Sequence, residues 1–550
     1  MQRLVRAASW CLPAAASACG ALYSASLSAS PPPPLALPLQ PPPSLPSLPP
    51  PPPPSPPPPP DWQTRTLLAG LRAILGEDAV LSSPEDTAAY ARDAHSYHAG
   101  PPPTAVARAG CSAHVTGVVR LCGALGVPLV ARGGGTSLEG HTTPPASGRS
   151  VVLDLSRLDR VLAVRPGDMD ATAQAGVTWG ALNAAAAPHG LMFAVDPGPG
   201  ACLGGMVATG CSGTNAARYG VMRANTLSLR AVAADGGELV TGGRARKSSA
   251  GYDLTSLLHA SEGTLGIVTE VTVRLHPLPA ALGVAAASFE SVRAACAAVG
   301  DALRAGLPLA AAELLDEAMV ATLNEQRAAG LPRAPTVLFK LSGSAPAVAA
   351  DAAALRAIVC GAGSAGSAGG GGGGGGVSAC APGGARSWVF SSDARRGAEL
   401  WEARKVALWA AAEAEPGRVL ATTDVCVPLS ALPELLAAME AQVAAGPLAA
   451  RVRAVAHAAD GNAHHFIAYD QHSPEEVAEA RRLQAALVAA ALALDGTCTG
   501  EHGVGVGKVR FLRDEFSPRT LQAMRDIKRA LDPQGLLNPG KKLPSEEGRA

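Results

Sequence analysis

The chain has 550 residues, with 45 basic and 45 acidic side chains, so its formal net charge is zero. That balance excludes proteins that hold nucleic acid or an anionic membrane through a basic surplus. Apolar residues make up 47% of the sequence, which is enough for a large core, and the length predicts two or more domains.

Residues 1–60 differ in composition from the rest of the chain. They contain no Asp or Glu, carry Arg3 and Arg6, and hold 20 prolines after residue 30. A cationic start without acidic residues is typical of a transit peptide, and the proline runs predict an extended, disordered spacer. We therefore expect a mitochondrial protein, in the matrix or peripherally on the inner membrane. A plastid location, or a secretory signal built on the moderately apolar stretch 10–22, is the alternative.

The cysteine and hydropathy patterns bear on the compartment. The 11 cysteines are scattered and none forms a C-x-x-C pair, which favours reduced, buried thiols over a disulfide framework. No stretch offers about 18 uninterrupted apolar residues, so we expect no transmembrane helix.

The pattern of the remaining chain changes along its length. Residues 61–98 carry leucines at helical spacing and predict a mainly helical segment. From 99 to 278, short apolar runs alternate with glycine turns, which predicts strands with helices between them. From 279 to 543, long Ala/Leu-rich stretches predict helices and a few strands, interrupted by a glycine-rich insert at 361–376, and residues 544–550 form a tail. The predicted helices include Val115–Leu125 and Trp179–Ala187, and the predicted strands include Val127–Val130, Val151–Leu155, Leu229–Ala233, Ile267–Leu275, Val337–Leu341 and Val419–Val427.

A glycine-rich loop directly follows one of the predicted strands. It reads Arg132-Gly133-Gly134-Gly135-Thr136-Ser137. Three successive glycines let the backbone approach a ligand, and their N–H groups, with the Arg, Thr and Ser donors, suit an anion such as a diphosphate. The pattern matches neither a dinucleotide-binding fingerprint nor a Walker A loop. The alternative interpretation is a flexible surface loop.

Two further clusters of small residues follow in the sequence. One spans residues 196–215, and the other combines residues 247–254 with residues 261–269. A high density of Gly, Ser and Thr suits a backbone that wraps around a flat ligand.

Histidines and a carboxylate form a third pattern. His457 and His464 are seven residues apart, which would place them on opposite faces of a continuous strand. We expect a turn at Asp460-Gly461-Asn462 to bring both imidazoles together. With Glu501 they make a two-histidine, one-carboxylate set that suits a catalytic metal. Turn residues with a salt bridge are the alternative.

Several of these motifs, in this order, carry a family resemblance. The glycine loop, the Ser-Gly-Thr-Asn segment at 212–215 with Arg-Tyr-Gly at 218–220, and Ser-Glu-Gly-Thr-Leu-Gly-Ile at 261–267 resemble the flavin domain of the vanillyl-alcohol oxidase/PCMH superfamily. Within it, residues 62–543 are similar to the FAD-linked 2-hydroxy-acid dehydrogenases. The resemblance implies an α+β fold, with a PCMH-type FAD-binding domain followed by a C-terminal α+β FAD-linked oxidase domain for substrate and metal.

The resemblance also implies how the flavin is bound. FAD is expected to be noncovalent, with no bond to His141, its diphosphate on residues 132–137 and its ring near residues 196–216 and 262–268. The implied cofactor-binding residues are Arg132, Gly133, Gly134, Gly135, Thr136, Ser137, Asp196, Pro197, Gly198, Gly204, Gly205, Thr209, Ser212, Gly213, Asn215, Glu262, Gly263, Ile267 and Asn538.

The family pattern Gly-His-x-Gly-Asp-Gly-Asn-x-His, followed later by Glu-His-Gly-x-Gly, implies the metal ligands. The implied ligands are His457, His464 and Glu501, and this borderline ligand set suits Zn²⁺, with Mn²⁺ or Fe²⁺ as alternatives. The chain has alanines at 456 and 459 where the family has glycines. If the backbone of Ala459 requires a positive φ, its methyl group costs about 1 kcal/mol.

The same resemblance implies the reaction. His502 falls on the active-site histidine and Arg404 on the substrate carboxylate, although a helix cation in solvent is the common case for such an arginine. Relatives that act on 2-hydroxyglutarate carry a lysine near position 422 for the distal carboxylate. This chain has Thr422 there, which favours a monocarboxylate substrate. The implied reaction oxidises D-lactate to pyruvate, with His502 as base, hydride transfer to flavin N5, and electrons passed to cytochrome c or another acceptor. The alternatives are a glycolate or broader D-2-hydroxy-acid dehydrogenase, and a non-catalytic flavoprotein subunit.

Overall fold

A computed structural model of the chain describes residues 61–361, 380 and 384–545. The predicted leader (1–60), nearly all of the glycine-rich insert (361–376) and most of the tail (544–550) lie outside these residues. The described residues belong to one compact unit. We refer to residues 61–277 as the N-terminal half and to residues 281–545 as the C-terminal half.

The N-terminal half alternates helices and strands. Its helices are α1 (Asp61–Leu75), α2 (Pro84–Ala88), α3 (Ser112–Leu125), α4 (Trp179–Ala186), α5 (Leu203–Thr209), α6 (Ala216–Tyr219), α7 (Met222–Asn225) and α8 (Leu254–Leu258). Its strands are β1 (Val80–Leu81), β2 (Ala105–Arg108), β3 (Leu129–Arg132), β4 (Val151–Asp154), β5 (Val161–Arg165), β6 (Asp170–Gln174), β7 (Leu191–Met192), β8 (Thr226–Val232), β9 (Glu238–Val240), β10 (Ile267–Arg274) and β11 (His276–Pro277).

Two sheets organise this half. One has the order β1-β2-β4-β3, with β2, β4 and β3 parallel, and the other is antiparallel with the order β5-β6-β10-β8-β9. The parallel strands are buried on both faces and read as continuous apolar runs. Helices α1 and α3 pack on the parallel sheet, and the apolar face of α5 packs on the antiparallel one.

The C-terminal half is built on one large sheet. Its helices are α9 (Val292–Arg304), α10 (Glu317–Arg327), α11 (Ala345–Cys360), α12 (Ala394–Lys405), α13 (Ala407–Glu413), α14 (Leu432–Ala444), α15 (Pro474–Ala493), α16 (Leu512–Glu515) and α17 (Pro518–Leu531). Its strands are β12 (Ala281–Ser288), β13 (Leu309–Leu315), β14 (Thr336–Gly343), β15 (Ser387–Ser391), β16 (Val419–Thr422), β17 (Val425–Cys426), β18 (Val452–His457) and β19 (Asn462–Tyr469). The sheet order is β15-β12-β14-β13-β18-β19-β16, and β17 also pairs with β19.

Helices cover both faces of the large sheet. One apolar cluster packs α9, α11, α14 and α15 against it, and a second packs α10, α12 and α13 against the other face. This second layer positions the active-site end of α12. The mixture of helices with parallel and antiparallel sheets confirms the predicted α+β class.

The expected helical segment at 61–98 is only partly helical. Helix α1 ends before Gly76, whose φ of 87° lies in the left-handed region. After the short helix α2, residues 89–100 form turns and isolated bridges. A tertiary contact replaces helical pairing here, because the buried Asp93 carboxylate accepts the backbone N–H of Thr142 at 3.2 Å.

The chain returns to the N-terminal half after α17. The backbone N–H of Leu129 donates to Leu536 O, and the N–H of Asn538 donates to Leu129 O, at 2.9 and 2.8 Å. Residues 536–538 thus extend the parallel sheet beside the glycine-rich loop. This return places Asn538 next to residues that are more than 270 positions earlier in the chain.

The expectation of reduced thiols is wrong for one pair. Cys360 at the end of α11 and Cys380 form a disulfide with a Cα–Cα distance of 4.7 Å. The sequence does not suggest this pairing, because the two cysteines are 20 residues apart and lie on either side of the glycine-rich insert. The other seven cysteines in the described ranges are free thiols. Within those ranges, no helix has both the length and the apolarity needed to cross a bilayer.

Candidate active site

A cavity of about 640 Å³ lies between the two halves. The glycine-rich loop and the 196–214 segment line it from the N-terminal half, and α12, β18 and β19 contribute from the C-terminal half. All the sequence-predicted site residues line this cavity except Arg132 and Asn215.

The backbone of the glycine-rich loop packs directly against its neighbours, with no side chains between them. A Cβ atom on Gly134 would lie 2.3 Å from the carbonyl oxygen of Gly200, and one on Gly133 would lie 2.2 Å from Cys202 Sγ. Gly135 has a φ of 63°, which an L side chain rarely adopts. The three glycines are therefore required by close approach and by backbone conformation.

Arg132 supports this loop from outside the cavity. Its guanidinium donates to Arg92 O at 3.1 Å and lies 5.0 Å from the centre of the Tyr90 ring. From the sequence, this side chain is expected to donate to the ligand anion. The structure instead places it behind the loop, because the alternation of strand β3 points residue 132 away from the cavity.

The 196–215 segment is tied together by one carboxylate. Asp196 accepts the Thr214 hydroxyl at 2.8 Å and the Asn215 N–H at 3.1 Å. A Cβ on Gly213 would lie 2.5 Å from Asp196 Oδ1. The Asn215 side chain donates to Ala194 O at 3.1 Å, outside the cavity, so its role is to hold the segment.

Asn538 offers a ligand contact inside the cavity. Its Nδ2 donates to Glu262 O at 2.7 Å and to His141 O at 3.1 Å. Its Oδ1 is buried and has no partner within the described part of the chain. A buried acceptor in a glycine-lined cavity fits a flat ligand that carries N–H donors, as a flavin or adenine ring does.

The predicted turn brings the two histidines together. Strands β18 and β19 form a hairpin in which His457 is opposite Asn462 and Val455 is opposite His464, so both imidazoles lie on one face. Their ring centres are 5.3 Å apart. Glu501 Oε1 lies 3.2 Å from the Nε2 atom of each histidine.

The remaining ring nitrogens identify the tautomers of these histidines. His457 Nδ1 lies 2.7 Å from Glu313 Oε1, and His464 Nδ1 lies 3.1 Å from Thr423 O. Since both partners are acceptors, each Nδ1 carries a proton, which leaves each Nε2 as the ring atom that can bind a metal beside Glu501. One ligand atom from each of His457, His464 and Glu501 lies within 4.8 Å of the others. This donor set fits a divalent metal.

Asp424 forms a second group with His464 and His502 at similar distances. Its Oδ2 already accepts the backbone N–H groups of Gly500, Glu501 and His502 at 2.9 to 3.0 Å. The ammonium of Lys508 lies 3.3 Å from the same oxygen. We therefore assign Asp424 to holding the 500–502 loop.

His502 is placed to accept a proton. Its ring stacks on His464, with centres 4.8 Å apart and planes 13° apart, and it lines the cavity. Its Nδ1 is buried and has no partner among the described residues. Burial lowers the pKa of His502 to about 4, so the imidazole is neutral at neutral pH.

Arg404 lies at the end of α12, as the sequence predicts. Its Nε donates to Glu313 Oε2 at 2.6 Å, and its Nη2 lies 3.5 Å from His457 Nε2. Arg404 lines the cavity together with His457, His464 and Glu501, the candidate metal ligands. Thr422 also lines the cavity, whereas His465 is on the opposite face of β19 and does not.

Sequence reasoning missed Glu313. It is a single carboxylate within the apolar strand Leu309-Ala-Ala-Ala-Glu-Leu-Leu315, and it is 1% exposed. A charge in the middle of a buried strand is the signal that could have identified it.

Comparisons with known proteins agree with this geometry. The chain matches an FAD binding domain over residues 103–242 and the C-terminal domain of FAD linked oxidases over residues 278–542. It is 38% identical to the mitochondrial D-lactate dehydrogenase (cytochrome) of Arabidopsis thaliana, over 87% of this chain and 80% of that one. It is 40% identical to D-lactate dehydrogenase (cytochrome) 1 of Saccharomyces cerevisiae, over 78% and 70%.

More distant relatives share the architecture. Glycolate oxidase subunit GlcD of Escherichia coli is 33% identical, over 78% of this chain and 82% of that one. The crystal structure of p-cresol methylhydroxylase superposes with a TM-score of 0.68 at 17% identity, covering 88% of this chain and 98% of that one. The superposition shows the shared fold, a PCMH/VAO-type flavin domain with a C-terminal oxidase domain. The chain therefore belongs to the D-lactate dehydrogenase (cytochrome) family of FAD-linked oxidases.

Proposed function

We propose that this chain oxidises D-lactate to pyruvate in mitochondria and passes the electrons to cytochrome c. The observation that carries this proposal is the meeting, in one cavity, of an arginine, a His–His–Glu triad and a further histidine, His502. These are the groups needed to hold a 2-hydroxy acid by its carboxylate and to remove its hydroxyl proton.

Each residue has a defined task. Arg404 binds the substrate carboxylate through its terminal nitrogens, because its Nε is occupied by Glu313. His502 accepts the hydroxyl proton, and Asp424 fixes its loop. Residues 133–137 and Asn538 would hold FAD, and His457, His464 and Glu501 would hold the metal. When bound, the flavin would accept hydride from the substrate carbon, and the divalent cation would lower the pKa of the substrate hydroxyl.

The test follows flavin bleaching under anaerobic conditions with D-lactate, L-lactate, glycolate and D-2-hydroxyglutarate. We expect D-lactate to reduce the flavin fastest, and cytochrome c to reoxidise it. His502→Ala should retain FAD but lose reduction, by about 10²- to 10⁴-fold for a general base. The control is His465→Asn, which replaces the adjacent histidine on the other face of β19. Near-normal reduction by His502→Ala would refute the base assignment.

Glycolate is the second candidate substrate, because the Escherichia coli relative named as a glycolate oxidase subunit is 33% identical. A monocarboxylate is favoured over 2-hydroxyglutarate by position 422, where a threonine and not a lysine lines the cavity; Lys405 is the lysine that the cavity lining does contain. Faster bleaching by glycolate than by D-lactate would reverse the substrate assignment and leave the chemistry unchanged.

The mitochondrial location is tested separately. Residues 1–60 contain no acidic side chain, and the Arabidopsis and yeast relatives are named as mitochondrial. Fusing residues 1–60 to a fluorescent protein should direct it to mitochondria, and a fusion in which Arg3 and Arg6 are replaced by Glu should remain outside. Secretion of the first fusion would contradict the transit assignment.

A further inference from the structure

Glu313 occupies an unusual place for a carboxylate. It lies on β13, where every residue from Leu309 to Leu315 is buried, and it is 1% exposed. A charge in such surroundings carries a large desolvation cost unless partners compensate it. Its contacts therefore determine its role.

The two oxygens of Glu313 bind two different functional groups. Oε1 lies 2.7 Å from His457 Nδ1, and Oε2 accepts Arg404 Nε at 2.6 Å. The register of the sheet produces the first contact, since Glu313 and His457 are directly opposite on β13 and β18. The Arg404 guanidinium supplies the opposite charge that a carboxylate in these apolar surroundings needs.

The first contact controls a metal ligand. Because the carboxylate accepts the Nδ1 proton of His457, Nε2 is the ring atom left to bind a metal, and it lies 3.2 Å from Glu501 Oε1. A carboxylate behind a ligating histidine fixes the ring orientation and makes the ligand more basic.

The second contact controls the substrate arginine. The bond from Nε holds the guanidinium of Arg404 with Nη2 at 3.5 Å from His457 Nε2. One carboxylate thereby sets the distance between the group for the substrate carboxylate and the ligand for the metal. A 2-hydroxy acid must reach both groups at once.

We propose that Glu313 is a positioning residue that couples the metal site to the substrate-binding arginine, through simultaneous contacts with His457 and Arg404. This inference rests on the proposed function and adds a residue that neither the sequence motifs nor the family pattern identifies.

The test compares Glu313→Gln with the parent protein, both loaded with FAD and stripped of metal. In the variant two donors compete for one amide oxygen, and neither has an ionised acceptor any longer. Zn²⁺ affinity, measured by competition with a chromophoric chelator, should fall roughly 10- to 100-fold. At saturating Zn²⁺, KM for D-lactate should rise by about tenfold, because Arg404 loses one hydrogen bond to a charged group. Under the same conditions kcat should return to the value of the parent protein.

The matched control is Asp316→Asn. Asp316 is half-buried three residues further on, and its carboxylate accepts backbone N–H groups of Met319 and Ala454 at 2.6 and 2.8 Å. Both substitutions replace a carboxyl group that accepts two hydrogen bonds with an amide, but only Glu313 touches His457 or Arg404. The control should lower thermal stability while Zn²⁺ affinity and KM stay at the parent values, which separates positioning from a general loss of structure.

A second variant, Glu313→Asp, provides the test if Glu313→Gln does not fold. Glu313→Asp keeps the charge but is one methylene shorter, so it cannot reach both partners, and it should also weaken Zn²⁺ binding or raise KM. If either folded variant matches the parent within twofold in both quantities, the coupling role is refuted. If the parent itself neither binds Zn²⁺ nor is reduced by D-lactate, the proposed function fails and the role of Glu313 fails with it.

Discussion

Gly461 carries a strict backbone requirement in the hairpin that holds the two histidines. Its φ is 77°, and a Cβ atom would lie 2.1 Å from Val427 O. Ala459, two residues earlier, is absent from the residues with positive φ in the described part of the chain. The glycine that the turn needs is therefore retained, and the alanine replaces a glycine where no left-handed backbone occurs.

A matched pair of variants tests this difference. Gly461→Ala should destabilise the protein by more than the roughly 1 kcal/mol of a left-handed alanine, because the carbonyl must also move. It should weaken Zn²⁺ binding at least tenfold, since His457 and His464 flank the turn. Ala459→Gly should cost less than about 1 kcal/mol, mainly through the unfolded chain, and leave Zn²⁺ affinity unchanged. Chelator competition measures the Zn²⁺ affinity of each variant, and thermal unfolding measures its stability. Weaker Zn²⁺ binding by Ala459→Gly would contradict the conclusion that the turn depends on Gly461 and not on residue 459.

At the scale of single residues, the sequence predicted which residues form the site better than it predicted where their side chains point. His457, His464, Glu501, His502 and Arg404 meet in one cavity as expected. Arg132 was named for its proximity to the glycines, but its side chain turns towards Tyr90. Glu313 was missed because its function depends on the register between β13 and β18, which connects residues 144 positions apart.

At the scale of elements, a buried carboxylate holds two loops of the site together. Glu262 lies in the loop before β10 and accepts the N–H groups of Val504 and Gly505 at 2.8 and 2.9 Å. His141 and Lys542 lie 3.5 and 3.4 Å from its Oε1. Burial would raise the pKa of Glu262, but these cations and N–H groups lower it to about 2.

The loss of folding stability at low pH should depend on Glu262. Since the folded pKa is about 2 and the ordinary value is 4.5, Glu262 contributes stability above pH 4.5 that is lost as the pH falls towards 2. The full contribution is on the order of 3 kcal/mol. Thermal midpoints measured from pH 7 to pH 3 should therefore fall less steeply for Glu262→Gln, which should start from a lower value. Glu238→Gln removes an exposed carboxylate, which solvent screens, and serves as the control. Parallel curves for parent and Glu262→Gln would contradict the prediction.

Element prediction succeeded where a local pattern decides the structure. The predicted helix Val115–Leu125 and strand Ile267–Leu275 lie within two or three residues of α3 and β10. The segment after Gly76 was expected to be helical but is irregular, because its polar groups bind the loop at residue 142. The strand at 419–427 divides into β16 and β17, since Asp424 turns away to bind the 500–502 loop.

At the scale of the whole molecule, a buried lysine connects the two halves. Lys508 donates to Asp424 O at 2.6 Å, and its ammonium lies 3.6 Å from Oε1 of Glu139, which follows the glycine-rich loop. All three side chains are at most 7% exposed. Asp424 and Glu139 hold the pKa of Lys508 above its ordinary value despite burial, so the charge is retained. The ion network therefore connects the end of the glycine-rich loop to the loop that carries Glu501 and His502.

Removing the cation should uncouple the halves. Lys508→Met leaves two buried carboxylates without their partner, which typically costs 3–5 kcal/mol, as an order-of-magnitude figure. We expect calorimetry of the FAD-loaded protein to show an unfolding transition at lower temperature, with flavin released before the large sheet melts. Adding Glu139→Gln to Lys508→Met removes one of the unpaired charges and should restore part of the loss, since neighbouring sites are not additive. Arg395→Met removes a cation whose side chain is 91% exposed and should change little. If Lys508→Met unfolds like the parent, the stability of the site comes from apolar packing between the halves and not from this ion network.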